Sequence, residues 1–235
     1  MHKRNMQNKD VTWALMATKA AWEATCLDYG DRKLNSERAL QASFYFRLRP
    51  LLESVARDYV VFIEATVILP AVEEDLPSET LASGPKRIAI DTIVCKGREI
   101  LLAMELKYTP RTYPDEVAIK KDLLSLSEIR NHTAKKRRVK IELPRHRETE
   151  EGDPLPLTIS PDAKMLLGIY CADGESRIGA KKFWNDFRPE AGPWGGRKRE
   201  LPPKFGLCFA YALDPSLKKP AEAVFLGQPF TDLGI

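Results

Sequence analysis

Short apolar runs separated by turn residues give this chain the pattern of a protein that mixes strands with helices. Residues 59–69, YVVFIEATVIL, are β-branched and aromatic and are followed by Pro70, which predicts a strand. Residues 86–108 contain two further apolar runs joined by Lys96-Gly97-Arg98, and a glycine-containing connection of this kind predicts a β-hairpin. Neither run of the hairpin alternates cleanly, so both of its strands are expected to be covered on both faces.

Apolar residues at three- and four-residue steps predict helices before these strands. Residues 10–29 have this period and predict the first helix. A second helix is predicted from Glu37 to about residue 58, with Asn35 or Ser36 as its N-cap. Pro50 lies inside that span and predicts a kink or a break.

The chain after the hairpin predicts one more helix and two more strands. Pro114 suits the first position of a helix that extends to about Arg130. Residues 164–172 and 205–212 are apolar and predict strands. Residues 148–163 are rich in proline and polar side chains, which predicts a long connection without regular structure.

Composition narrows the class of protein. A length of 235 residues with 43% hydrophobic content predicts one domain with elaborations. The four cysteines are scattered without a Cys-x-x-Cys pair, which disfavours a zinc site and a secreted disulfide framework. No apolar signal segment and no run of membrane-spanning length is present, so a cytoplasmic protein without a membrane partner is expected. The net charge of +4 is too mild to indicate nucleic acid by itself.

Three charged residues interrupt the apolar hairpin: Asp91, Glu105 and Lys107. Charged groups are costly to bury unless they are paired or hold a metal ion. Glu105 and Lys107 are two residues apart on one strand and therefore point to the same face. The chemistry of this part of the hairpin depends on whether Asp91 joins that face.

The hairpin loop decides where Asp91 points. A two-residue loop sets Asp91 opposite Leu102 and turns it away from Glu105. A three-residue loop, Lys96-Gly97-Arg98, sets it opposite Ala103 and diagonal to Glu105, although glycine usually takes the last position of such a loop. The sequence allows either arrangement.

Two interpretations of the three charges remain open. Two carboxylates without histidine or cysteine suit a hard cation such as Mg²⁺, with water in its other positions. Lys107 would then orient a metal-bound water or stabilise charge on a phosphate. The alternative is a structural ion pair between Glu105 and Lys107, with Asp91 near the end of the sheet.

The spacing of these residues resembles a known nuclease signature. Asp91, thirteen further residues and then Glu105-Leu106-Lys107 look like the PD-(D/E)xK motif of restriction-endonuclease-like nucleases, with Ile90 where proline often stands. The predicted element order is similar to the α-β-β-β-α-β core of that superfamily. The resemblance implies an α/β fold with a mixed central sheet flanked by helices. It covers about residues 36–172 of a single domain, with 1–35 as an N-terminal helical extension and 173–235 as a C-terminal elaboration.

The resemblance also implies an activity. It implies a Mg²⁺-dependent endonuclease that hydrolyses phosphodiester bonds in DNA, with Mn²⁺ as a substitute ion and no small-molecule cofactor. Asp91, Glu105 and the backbone carbonyl of Leu106 would ligate the metal, and Lys107 would activate or orient the attacking water. Glu37 would assist as the glutamate of the first core helix, although a carboxylate in a first turn also favours the helix dipole.

Basic residues after the hairpin predict where nucleic acid binds. The resemblance assigns a polar site residue on the second core helix to Lys120 or Lys121. Residues 130–147 carry eight lysines and arginines, and such a run attracts phosphates more than it reads bases. The four central candidates are Lys135, Lys136, Arg137 and Arg138. The alternative is a solvated loop neutralised by the acidic segment that follows it.

Two other functions fit the same sequence. The fold could serve as a nucleic-acid-binding or assembly module with weak or no chemistry, or as an RNA nuclease. A complete Asp-Glu-Lys set favours the enzyme, because a non-catalytic copy need not keep all three charges. The sequence leaves the choice between a monomer and a homodimer open.

Overall fold

The structure of this protein is a computed structural model that describes residues 2–30, 34, 36–70, 85–109, 116–134, 138–142, 154–171, 205–211 and 222–234. Within these ranges the chain forms four helices and seven strands. The helices are α1 (His2–Gly30), α2 (Glu37–Val55), α3 (Glu116–Ala134) and α4 (Gln228–Thr231). The strands are β1 (Tyr59–Leu69), β2 (Lys86–Lys96), β3 (Glu99–Thr109), β4 (Arg138–Glu142), β5 (Leu155–Cys171), β6 (Phe205–Tyr211) and β7 (Glu222–Leu226).

All seven strands belong to one mixed sheet. β1, β2 and β3 form an antiparallel meander, and β5 then pairs in parallel with β3. β6 is parallel to β5, and β7 closes that edge in the antiparallel direction. The short strand β4 bridges the ends of β1 and β5, so that the pairings β1–β2–β3–β5–β4 close a ring. The mixed sheet and its helices confirm the predicted α/β class.

Two apolar cores lie on the two faces of the sheet. On one face, α1 and α2 pack against β3, β5 and β6, around large buried side chains such as Trp22 and Phe44. On the other face, α3 packs against β5, β3 and β2, and its residues Ile119, Leu123 and Leu126 join a core that also includes side chains of β1 and β4. The sheet is therefore the middle layer between α1/α2 and α3.

Helix α2 is amphipathic and is fixed at its first turn. The Ser36 hydroxyl accepts a hydrogen bond from the Ala39 N–H at 3.2 Å, which caps the helix as predicted. Its buried residues recur every four positions, Leu40, Phe44, Leu48 and Leu52. This stripe lays the helix along the sheet and directs its first turn towards β2 and β3. Pro50 is exposed, and the helix continues through it to Val55.

Helix α1 belongs to the same core as the hairpin. Trp22 is fully buried, and it approaches β5 at Gly168. A Cβ atom at Gly168 would lie 2.9 Å from the Trp22 ring and 2.6 Å from Met104 Cε, closer than side chains normally tolerate. Glycine at this position therefore lets α1 and β3 pack tightly on β5. Among the described helices, none is long and apolar enough to span a membrane.

Strand β5 begins earlier than the sequence predicts. The prolines of residues 148–163 predict an irregular connection, but β5 extends from Leu155 to Cys171. Leu157 and Ile159 are buried and alternate with exposed side chains. The interval 160–163 interrupts the ladder to β3 before it resumes at Lys164. Because only two inward residues precede that interruption, their alternation is a weaker signal than the proline content.

Strand β4 is also absent from the sequence-based prediction. It lies inside the basic run 130–147, which was expected to be either a solvated loop or a phosphate-binding segment with few apolar anchors. Val139 and Ile141 are buried in the α3-side core, whereas Arg138 and Lys140 are exposed. The strict alternation is that of a strand with one covered face, and it was hidden by the surrounding lysines and arginines.

Candidate functional site

The hairpin between β2 and β3 turns at Gly97 and Arg98. Lys96 pairs with Glu99 across this two-residue connection. Gly97 has φ 56°, in the left-handed region that favours glycine. The loop therefore consists of residues 97 and 98, one position later in the chain than the two-residue loop at 96–97 considered from the sequence.

A bulge in β3 then changes the register of the hairpin. Leu101 is left without a partner between the flanking pairs, and beyond it Thr92 pairs with Met104. The next position on each strand brings Asp91 opposite Glu105. Both sequence-based registers, with Asp91 opposite Leu102 or Ala103, were wrong because an unpaired residue cannot be deduced from loop length.

The two strands part where the charged residues begin. The β2–β3 ladder ends at Thr92 and Met104. From there β2 continues beside β1, while β3 continues beside β5. The edge of β3 at Leu106 to Tyr108 thus faces a gap, which we call the hairpin cleft: Asp91 on one side and Glu105–Tyr108 on the other.

Carboxylates take the place of the missing strand in the hairpin cleft. Asp91 Oδ2 accepts a hydrogen bond from the Leu106 N–H at 2.6 Å, and its Oδ1 accepts one from Gln41 Nε2 at 2.9 Å. Glu37 Oε2 accepts the Tyr108 N–H at 3.3 Å. Glu37 and Gln41 are one turn apart on α2, so the first two turns of that helix supply both contacts. Asp91 is therefore held from two sides.

Helix α3 reaches the site from the opposite face of the sheet. Ala103 packs in the α3-side core, and by strand alternation Glu105 and Lys107 point the same way. Lys107 Nζ lies 3.2 Å from Asp122 Oδ2 on α3. Asp122 is only 8% exposed, so this is a largely buried ion pair.

Burial and crowding of charge shape the protonation of the cleft. Glu105 is 6% exposed, and burial together with the charges of Asp91 and Asp122 raises its pKa to about 9. Burial also raises the pKa of Asp91, although the Leu106 N–H and Lys107 oppose this. A hydrogen bond joins the two carboxyl groups. At neutral pH the pair accordingly holds a proton, with Glu105 as the donor and Asp91 as the acceptor.

Lys107 is a cation in this environment. Burial by itself lowers the pKa of Lys107, but the charges of Asp122, Glu37 and Asp91 together raise it above its ordinary value. Burial in turn raises the pKa of Asp122, against the stabilising charge of Lys107. The ammonium group therefore acts through charge and hydrogen bonding, because it does not lose its proton near neutral pH.

The oxygen donors of the hairpin cleft are compatible with a hard cation. In the described part of the chain no three histidine, cysteine or acidic residues form a ready metal-binding group. The cleft offers two carboxyl groups instead. Both backbone polar groups of a strand residue face the same neighbour, so the Leu106 carbonyl faces the cleft as its N–H does. The shared proton occupies a position where Mg²⁺, which keeps several waters, could replace it.

Two polar residues of the site were missed by the sequence analysis, Gln41 and Asp122. Gln41 follows Glu37 by four positions, the spacing that puts two side chains on one face of a helix. Asp122 falls within the apolar stripe formed by Ile119, Leu123 and Leu126. A carboxylate inside such a stripe is a signal that the helix faces a charged partner, and it could have identified Asp122.

The structure separates the predicted nucleic-acid-binding residues. Lys121 is exposed on α3, and Arg138 is exposed on β4. Lys120 lies in α3, but its side chain is not among the described ones. The other three predicted residues lie outside the described ranges: Lys135, Lys136 and Arg137.

Comparison of the chain with protein-family models, curated proteins and solved structures found no match. The function must therefore be inferred from the chemistry of the hairpin cleft. That chemistry consists of two buried carboxyl groups, a fixed cation next to them, and backbone and amide donors that hold one carboxylate in place.

Proposed function

We propose that this protein is a Mg²⁺-dependent nuclease of the PD-(D/E)xK type that cleaves phosphodiester bonds in DNA as an endonuclease. The observation that carries the proposal is the meeting of Asp91 and Glu105 in the hairpin cleft, with Lys107 two residues further along β3. The order α2-β1-β2-β3-α3-β4-β5, with β4 as an additional strand and β5 parallel to β3, supports a restriction-endonuclease-like core.

In this proposal each residue of the cleft has its own role. Asp91, Glu105 and the carbonyl of Leu106 would hold Mg²⁺, with Mn²⁺ as a substitute. The ion would supply Lewis acidity and lower the pKa of a bound water. Glu105 would be deprotonated in the metal-bound protein. Lys107, as a cation, orients the water or stabilises charge on the scissile phosphate.

The surrounding residues position these groups. Gln41 and the Leu106 N–H fix the two oxygens of Asp91. Asp122 holds the Lys107 ammonium group from the α3 side. Glu37 occupies the next backbone donor of β3, and its charge assists at the mouth of the cleft. None of these contacts needs the metal to form, so the site is organised in advance.

Cleavage of supercoiled plasmid DNA tests the proposal. The wild-type protein is expected to nick the plasmid with Mg²⁺ and not with EDTA. Asp91→Asn and Glu105→Gln should each lower the rate by roughly 1,000-fold, the size expected when one essential catalytic group is removed. Asp58→Asn is the control, because Asp58 is an exposed carboxylate beside the turn of the same hairpin.

Equal cleavage by the wild type and Asp91→Asn, with circular dichroism showing both folded, would refute the assignment of the site. An alternative function is a nucleic-acid-binding or assembly module with weak or no chemistry, which is favoured by the lack of a third ligating side chain among the described residues of the cleft. It predicts DNA binding without Mg²⁺-dependent nicking. A labelled RNA duplex in the same assay separates an RNA nuclease from a DNA nuclease. A cytoplasmic location and the choice between monomer and homodimer stay predictions.

A further inference from the structure

Part of the sheet is exposed on the side where α1 and α2 lie. Inward residues of β1, β2, β4 and β5 fill the α3-side core, so the residues alternating with them face the other way. Most of these outward residues are exposed, and Thr66, Ile68 and Glu142 are half-buried. We call this surface the basic sheet face, and it comprises Thr66, Ile68, Arg87, Ala89, Arg138, Lys140, Glu142, Pro156 and Thr158.

The basic sheet face is continuous with the hairpin cleft along β2. Ile88 and Ile90 are buried in the α3-side core, so Arg87, Ala89 and Asp91 follow one another on the opposite face. Arg87 is four residues from Asp91, which is about 13 Å along an extended strand. Asp91 meets Gln41 of α2 on this same side. A chain lying on the face could therefore enter the cleft beside Asp91.

The register of the sheet sets the spacing of the basic side chains. Ile68 pairs with Arg87 on one side and with Lys140 on the other. Arg87 and Lys140 are therefore two strands apart, which is about 10 Å. Arg138 is the next outward residue of β4, about 7 Å beyond Lys140. The three cations thus form a row that leads away from the cleft.

Two of the three charges of this row, those of Arg138 and Lys140, have no ion-pair partner among the described residues. Glu142 is the acidic residue of β4, and it is held by Arg87 with an Nη1–Oε2 distance of 3.0 Å. Among the described residues of the face, the apolar side chains are Ala89, Pro156 and Ile68, and Ile68 is half-buried between Arg87 and Lys140. The face therefore presents no large, fully exposed apolar anchor of the kind that protein interfaces use. Small neighbours, Ala89 and Thr158, leave the cations projecting.

We infer that the basic sheet face binds the phosphodiester backbone of the nucleic acid and guides it into the hairpin cleft. The inference rests on the proposed nuclease function and extends it by naming the substrate path. Arg138 and Lys140 each bind a phosphate and carry no base specificity, whereas Arg87 is held by Glu142. The path runs on the α1/α2 side of the sheet.

Binding of a fluorescent DNA duplex in EDTA over a salt series tests this path, because cleavage does not proceed there. The variant Arg138→Gln/Lys140→Gln should bind on the order of tenfold more weakly than the wild type. Its salt dependence should also be shallower by about 0.9 log units of affinity per log unit of salt for each phosphate that is no longer neutralised. The control Lys9→Gln/Arg57→Gln removes the same charge from two exposed residues off the face and should bind as the wild type does.

The results separate this inference from the nuclease proposal. If the control loses as much affinity as Arg138→Gln/Lys140→Gln, or if neither changes, the face does not bind the backbone, whatever the plasmid assay gives. The inference is also overturned if the face variant loses binding to anionic phospholipid vesicles and keeps its affinity for DNA. A selective loss of DNA binding supports the path. If Mg²⁺-dependent nicking is absent as well, the path stands and the nuclease proposal alone fails. Thermal unfolding confirms that both variants fold.

Discussion

The two ends of the β2–β3 hairpin use the same strands for different purposes. Between the turn and the pair Thr92–Met104, the strands are joined by a ladder, and their side chains are almost all apolar and buried. Beyond that pair, the ladder stops and the side chains include Asp91, Glu105 and Lys107. We refer to these two parts as the paired half and the open half. The change takes place within one residue.

The difference follows from what satisfies the backbone. In the paired half, each strand supplies partners for the other, so apolar side chains can fill both faces. In the open half, the N–H groups of Leu106 and Tyr108 have no strand opposite them and bind Asp91 and Glu37 instead. A buried donor without a partner costs about 1–3 kcal/mol. Opening a strand pair therefore creates fixed positions for carboxylates, which is a simple route to a catalytic site.

The largest effect is expected from the ion pair at the end of the open half. Lys107→Met should lower plasmid cleavage by roughly 1,000-fold if the lysine stabilises the transition state. It should also lower the free energy of unfolding by on the order of 3 kcal/mol, because Asp122 remains buried without a cation. Lys107→Met/Asp122→Asn should recover most of the stability and none of the activity. Urea unfolding and plasmid cleavage measure the two effects.

This pair of variants distinguishes a functional lysine from a structural one. If Lys107 serves only to neutralise Asp122, the double variant should cleave as the wild type does. If the double variant is as unstable as Lys107→Met, the buried carboxylate is not the cause of the instability. Either result would contradict the proposed difference between the open half, with its functional charged residues, and the apolar paired half.

The next effect concerns pH. Because burial first, and then the charges of Asp91 and Asp122, raise the pKa of Glu105 from 4.5 to about 9, the folded protein binds a proton that the unfolded chain releases. The contribution of Glu105 to the free energy of unfolding is therefore fully present below about pH 4.5 and decreases as the pH rises towards 9. Glu105→Gln should remove this decrease. It should stabilise the metal-free protein at pH 8 by on the order of 2 kcal/mol.

Thermal unfolding between about pH 5 and pH 9 measures this effect, with Asp58→Asn as the exposed control. Added Mg²⁺ should stabilise the wild type more at pH 8 than at pH 6, since the ion competes with the proton, and should affect Glu105→Gln little. A pH dependence that is equal in the wild type and Glu105→Gln would contradict a protonated Glu105. The paired half, which lacks buried carboxyl groups in its described residues, predicts no such dependence.

Local patterns were sufficient to predict much of the fold. Strand β1 is confirmed from residue 59 to residue 69, and the hairpin, α2 and α3 lie close to their predicted positions. These elements have long, regular apolar patterns. Strand β4 and the first residues of β5 were missed because two or three inward residues among basic residues and prolines give too weak a period. The β3 bulge at Leu101 was missed because it depends on packing on both faces of the sheet.

The sequence predicted only Glu37 and the charged residues of the hairpin as members of the candidate site. Asp91, Glu105 and Lys107 interrupt apolar strands, and burial of a charge is visible in a sequence. Gln41 and Asp122 lie on helices, where a polar residue usually faces water. The placement of α2 and α3 on opposite faces of the sheet brings these two side chains to the hairpin cleft.

The smallest effect is expected from changes at Glu64 on β1. They test whether the backbone of this residue separates β2 from β3 in the open half. The pairs Ile63–Thr92 and Ala65–Ile90 flank Glu64 and set it opposite Asp91. Glu64 has φ 49°, a left-handed conformation that is rare for a residue within a strand. The alternation of inward and outward side chains along β1 is broken at Glu64, since Phe62 and Ala65 are three residues apart and both pack in the α3-side core. We expect this turn to direct β2 away from β3.

Glycine and valine at position 64 should act in opposite ways. Glu64→Gly accepts the left-handed conformation and should match or exceed the wild type in stability by up to about 1 kcal/mol, with cleavage retained. Glu64→Val favours the extended conformation, so it should cost about 1–2 kcal/mol and lower cleavage by moving Asp91 relative to Glu105. Urea unfolding and plasmid nicking check both. If the two variants have equal stability and activity, the left-handed residue does not hold the hairpin cleft open.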